Sequence, residues 1–116
     1  LLCMCNPLYT KEIEKSLKER FPHCSIACSS DILIEIMNEG VTKADAINHL
    51  CDYYSMSKQD IVAFGDNYND KEMLESVGMG IAMGNAPEDI KKIASDVTST
   101  NNQDGIFKAL QKLDII

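Results

Sequence analysis

Gly65-Asp66-Asn67-Tyr68-Asn69-Asp70 gathers several short polar side chains into one turn. The turn follows an apolar run, Ile61-Val62-Ala63-Phe64, and precedes a stretch with helical patterning. In open α/β sheets, ligands bind at the carboxyl ends of the strands, which is where such a turn sits. Asp66 and Asp70 stand four residues apart and would repel each other unless a cation or a donor lies between them. Magnesium suits oxygen ligands and is usually held by one or two carboxylates together with substrate phosphate. The plainer alternative is a capping turn, with Asn69 as helix cap and Asp70 favoured by the positive end of the helix dipole. A calcium EF-hand is excluded, because Lys71 and Val77 fall where that loop requires Gly and Glu.

Lys43 is the second candidate. It lies in the first turn of an expected helix, where the macrodipole disfavours a cation. A bound phosphate would reverse that preference, since the ammonium and the helix N–H groups would then share one anion. Taken alone, Lys43 reads as a solvated surface lysine. His23 and His49 are isolated and read as surface or capping residues.

The elements that must position these groups fall into two runs. Leu1–Cys5, Cys24–Ser29 and Asp31–Met37 are strand candidates, and in the third Ile32, Ile34 and Ile36 share one face. Between the first two, Thr10–Arg20 reads as an amphipathic helix, with Ile13, Leu17 and Phe21 at a four-residue spacing, Thr10 as its N-cap and Pro22 as its stop. Strand, helix, strand, strand makes a small α+β unit. After the turn Asn38-Glu39-Gly40 the pattern changes. Helices are expected over 42–54, opened by a Thr42–Asp45 capping box, and over 69–77, opened by Asn69 with Glu72. Two more are expected over 85–94, opened by Asn85 with Glu88 and with Pro87 in its first turn, and over 103–113. Between them, Ile61–Phe64 and Gly80–Met83 read as strands buried on both faces, and Val97 as part of a short one. Such alternation implies parallel strands joined by crossover helices. The two units are therefore expected at 1–39 and 40–116. If 61–64 and 80–83 form one side of a larger sheet, an exposed apolar edge follows.

Composition narrows the function classes. The 116 residues are 45% hydrophobic and 25% charged, ordinary for a globular chain, with a formal net charge of −7. That charge opposes a nucleic-acid backbone as partner. No apolar run approaches the roughly 20 residues that span a bilayer, so no membrane partner is expected. The apolar start has no basic region before it and does not read as a signal peptide. The absence of an initiator Met suggests a chain that begins inside a larger protein. Five cysteines (Cys3, Cys5, Cys24, Cys28 and Cys51) form neither a regular disulfide framework nor a familiar zinc spacing. They read as thiols in a reducing cytoplasm.

Four segments, taken together, carry a resemblance. They are Gly40-Val41-Thr42-Lys43-Ala44-Asp45-Ala46-Ile47, the stretch from Ile61 through Asp70 to Leu74, Gly80-Ile81-Ala82-Met83-Gly84-Asn85-Ala86, and Asp104-Gly105-Ile106. In order and spacing this set closely resembles the C-terminal part of the Cof-type (subclass IIB) branch of the haloacid dehalogenase (HAD) superfamily, over about residues 30–110. The resemblance implies the C-terminal half of a HAD-like α/β core with a partial Rossmann-like parallel sheet, preceded by the tail of an α+β cap. It implies a magnesium-dependent phosphatase that hydrolyses small phosphorylated metabolites, sugar phosphates foremost, through an aspartyl-phosphate. Lys43 matches the lysine that holds the phosphoryl group and screens the nucleophile. Asp66 matches the magnesium-binding aspartate, and Asn69 the asparagine that hydrogen-bonds the phosphate. Asp70 matches the second acidic position, which supports the metal site and orients the lysine. Asn85 reads as a helix cap instead of a catalytic group. Asn38 and Ala44 replace the Pro and Gly often found at those places.

One departure is large. The family's Asp-x-Asp-Gly-Thr motif, which bears the nucleophile and the general acid/base, is nowhere in the chain. The Ser/Thr that grips phosphate has no clear match, and Ser29 and Ser30 fall in the cap region. An N-terminal half of the same protein is therefore expected to be missing, and the fragment to be inactive alone. A non-catalytic HAD-like binding module is the alternative. A phosphotransfer receiver domain also sets acids at strand ends, but the turn and the upstream Lys43 fit it poorly.

Overall fold

The computed structural model describes residues 1–116. Its first unit is a three-stranded antiparallel sheet of β1 (Leu2–Met4), β2 (Cys24–Ser30) and β3 (Leu33–Asn38), in the order β1-β3-β2. Helix α1 (Thr10–Arg20) covers one face, with Ile13 and Leu17 packed on Ile26, Cys28 and Ile34. The alternation expected for β3 holds at Ile34 and Ile36. Ile32 is instead exposed in the preceding turn. Thr10 is not the N-cap of α1. It is buried within the first turn, and its hydroxyl lies 2.6 Å from the Asp31 carbonyl and 3.1 Å from that of Asn6. Tyr9 occupies the cap position, because the hydroxyl of Thr10 fastens the helix to the strand turn instead.

Gly40, at φ +74°, turns the chain into the second unit. Here α2 (Lys43–Tyr54), β4 (Val62–Gly65), α3 (Lys71–Ser76), β5 (Met79–Ala82), α4 (Glu88–Ile93), β6 (Asp96–Val97) and α5 (Gly105–Lys112) follow in turn. The strands pair in parallel in the order β4-β5-β6, with Gly65 opposite Ala82 and Ala82 opposite Val97. Leu74 of α3, Ala82 of β5, Ala86 of the following turn and Ile90 of α4 form the core. Gly80, Ile81 and Ala82 are all buried, as a central parallel strand should be. β4 is not buried on both faces as the apolar run suggests. Val62 and Phe64, which share one face, are only half-buried while Ala63 and Gly65 on the other are buried, so one face of this edge strand is less covered than the other. No helix is long and apolar enough to cross a membrane.

Candidate active site at the carboxyl edge of the parallel sheet

β4 and β5 end side by side, so the turns that follow them share one edge of the sheet. After β4 the chain makes a single 3-10 turn, Tyr68–Asp70, before α3 begins. Its cap is Asn67, not Asn69. The Asn67 side chain accepts the Tyr68 N–H at 2.8 Å, and Asp70 closes a capping box from three residues on. This overturns the Asn69–Glu72 pair expected from spacing, since the helical backbone starts two residues earlier than the apolar periodicity indicates.

Asp70 is 4% exposed and fully engaged. Its Oδ2 accepts the backbone N–H groups of Asp66 at 2.9 Å and Asn67 at 3.2 Å. Its Oδ1 accepts a hydrogen bond from the Lys43 ammonium in a charge-assisted pair. Gly65 makes room for this carboxylate: a Cβ there would stand 2.5 Å from that of Asp70. Lys43 is the first residue of α2, behind the expected Thr42–Asp45 capping box, which forms in full. Its side chain remains half-exposed, so one end of the pair is buried and the other meets solvent.

Lys43 and Asn69 both line a cleft of about 1030 Å³ that runs between the two units. Lys11, Glu14 and Glu35 line it from the first unit, and Tyr68 from the second. The Asn69 amide makes no hydrogen bond within the chain. Asp70 lies behind the wall. Asp66 is exposed outside the lining, with its Oδ2 accepting from the Asn85 amide at 3.0 Å. The four residues singled out by sequence thus gather around one turn, with Lys43 linked to Asp66 through Asp70. Asn85 does not cap α4, whose N-cap is Pro87; it reaches across to Asp66 instead. Its place after Gly84, at the end of the neighbouring strand, was the signal for that contact, but it needs the strand register to be read.

The first unit is tied to this turn. The Asn67 amide donates to the Ser29 carbonyl at 2.8 Å, where a bulge in β2 breaks the register between Cys28 and Ser30. The Lys11 ammonium lies 5.7 Å from the centre of the Tyr68 ring.

The model of the haloacid dehalogenase-like hydrolases matches residues 2–110. The chain belongs to this family. A Haemophilus influenzae relative is 50% identical over 101 residues, which are 87% of this chain and 38% of that protein. The Bacillus subtilis 5-amino-6-(5-phospho-D-ribitylamino)uracil phosphatase YitU is 44% identical over 80 residues, 69% of this chain and 30% of that enzyme. Among solved structures, a HAD subclass IIB sugar phosphatase matches with a TM-score of 0.87 and 34% identity, over 92% of this chain and 41% of that one. This HAD-like chain therefore spans less than half the length of these relatives. Their fold is the α/β fold expected from the alternating strands and helices, and the Cof-type branch agrees with the subclass.

Proposed function

We propose that this chain supplies the phosphate-gripping and metal-holding part of a magnesium-dependent phosphatase acting on small phosphate monoesters. The observation that carries the reading is the Lys43–Asp70 pair, which holds a half-exposed ammonium on the wall of the cleft that Asn69 also lines. Lys43 would neutralise the phosphoryl oxygens and screen an incoming carboxylate, and the free amide of Asn69 would donate to the same group. Asp70 would aim Lys43 with one oxygen and fix the backbone of Asp66 with the other. Most of the rate enhancement such a site gives is positioning and electrostatics.

The residues fit a magnesium ion as part of its shell. Magnesium takes hard oxygen donors and keeps several for water and substrate. The exposed Asp66 carboxylate at the sheet edge is such a donor, and Asp70 would support it from behind. When bound, the ion would offset the negative charge that otherwise repels attack on phosphorus.

The nucleophile, on which an aspartyl-phosphate would form, belongs in this reading to an N-terminal part of the same protein. Sugar phosphates are the favoured substrates, supported by the sugar phosphatase and the phosphoribityl-compound phosphatase among the relatives. The charge of −7 disfavours nucleic acid, and five free thiols suit a reducing cytoplasm. The absence of the Asp-x-Asp motif from these residues favours a second reading, a non-catalytic HAD-like module. An Asp66→Asn change in the full natural polypeptide separates the two. It should abolish magnesium-dependent hydrolysis of an aryl phosphate and shift the melting temperature by less than about 3 °C. Turnover that survives the change, or a wild-type protein with none, sinks the phosphatase reading.

A further inference from the structure

Asn85 is an exposed residue whose side chain is bonded at both ends. Its Nδ2 donates to Asp66 Oδ2 at 3.0 Å, and its Oδ1 accepts the Asn101 N–H, also at 3.0 Å. The residues linked are 19 and 16 positions away. Asn101 opens a 3-10 turn, Asn101–Gln103, which is itself anchored. The Gly84 N–H donates to the Ser99 carbonyl at 3.1 Å, and the Gly105 N–H to the Thr100 carbonyl at 3.2 Å. A strut therefore runs from this turn through Asn85 to Asp66. The helix that follows has no use for it, since α4 receives no side-chain cap.

Asp66 is gripped at two points. Its backbone N–H is held by Asp70, and one carboxylate oxygen is held by Asn85. Its Oδ1 has no hydrogen bond within the chain. An exposed carboxylate otherwise samples several rotamers, and a ligand that must be frozen on binding binds more weakly. We infer that Asn85 is a positioning residue for divalent-cation binding: it fixes Asp66 Oδ2 so that Oδ1 is the oxygen presented. A neutral amide suits the task, because it donates to the carboxylate without adding the repulsion of another acid. The inference rests on the proposed metal role of Asp66. It extends that role to a residue that spacing alone marks as a helix cap.

The test measures Mn²⁺ binding to the full natural polypeptide by the spin resonance of the free ion, with Asn85→Ala and Asn101→Pro variants. The second removes the N–H that anchors Asn85, together with an Asn101 side chain that makes no hydrogen bond within the chain. Thr100, at φ −67° and ψ 164°, suits a residue before proline, and the first position of a helical turn accepts proline. Losing an outer-shell partner typically costs 10–100-fold in metal affinity, so Asn85→Ala should weaken Mn²⁺ binding by about tenfold or more. Asn101→Pro should weaken it severalfold. The metal-free melting temperature should stay near that of the wild type in both. Unchanged Mn²⁺ affinity in either folded variant overturns the inference, and Asn101→Pro alone decides if Asn85→Ala fails to fold. A wild-type protein that does not bind Mn²⁺, or an Asp66→Asn variant that binds it equally well, overturns the metal reading beneath it.

Discussion

At the scale of single residues, the pair of Lys43 and Asp70 joins stability to the proposed chemistry. Asp70 would be an expensive buried carboxylate without its three donors. Replacing Lys43 with Met keeps the aliphatic stem and removes one donor. Because the ammonium is half-exposed, the loss of stability should be only about 1 kcal/mol by denaturant melts. The loss of phosphatase turnover in the full polypeptide should be far larger, at least about a hundredfold. A turnover loss no greater than the stability loss would make the pair purely structural. Cys28 shows the opposite case, a thiol made inert. Burial, and then the nearby Glu14 carboxylate that accepts its S–H at 3.1 Å, push its pKa from 9.0 up to about 12. The folded state keeps the proton that the unfolded state sheds, so this contribution is complete below pH 9.0 and lost as pH rises toward 12. Urea melts across that range should show wild-type stability falling more steeply than that of Cys28→Ala. Parallel slopes would contradict the protonated thiol. Burial alone would raise the Glu14 carboxyl, but the Lys18 ammonium and the Cys28 thiol outweigh it and hold it below its usual value.

At the scale of elements, short turns decide where the polar groups point. The Asn67–Asp70 box starts the helical backbone early, and this leaves Asn69 free to line the cleft instead of capping. Gly65 ends β4 with no side chain, which lets the Asp70 carboxylate fold back over the strand end. Gly65→Ala would bring its Cβ within 2.5 Å of the Asp70 Cβ, which is fixed by the backbone and cannot step aside. We expect a loss of about 1–3 kcal/mol in denaturant melts, and with it displacement of Asp70 from Lys43. A neutral Gly65→Ala would mean that the turn has slack this geometry does not show. In β4 the alternating burial departs from the doubly buried run that its composition suggests, because the face carrying Val62 and Phe64 is less covered than the face carrying Ala63 and Gly65.

At the scale of the whole molecule, an antiparallel sheet and a parallel sheet meet across the cleft, joined by the Asn67–Ser29 bond and the Lys11–Tyr68 contact. Residues of both units line the cleft with Lys43 and Asn69, so under the proposed phosphatase reading the first unit would bear on which leaving group enters. None of the 116 residues offers the Asp-x-Asp nucleophile motif. The purified 116-residue chain with magnesium should therefore show no turnover of an aryl phosphate above background. Measurable hydrolysis would mean that an acid within this chain attacks phosphorus, which the reading here does not allow.

Sequence alone determined the alternation of strands and helices, the Thr42–Asp45 box and the grouping of Lys43, Asp66, Asn69 and Asp70 as candidates. These rest on periodicity and on contacts a few residues apart, which spacing records directly, and on motifs whose order the family shares. Tertiary structure alone decided that Asn85 serves Asp66 and not α4, and that Asn67 ties the turn to Ser29. It also decided that Thr10 fastens a helix instead of opening it. Each of these bonds spans 19 residues or more. Asn, Thr and Ser satisfy local backbone groups and distant ones equally well, so their type does not choose between partners. The register of β4 against β5, and the bulge in β2, make that choice by bringing remote segments within hydrogen-bonding reach.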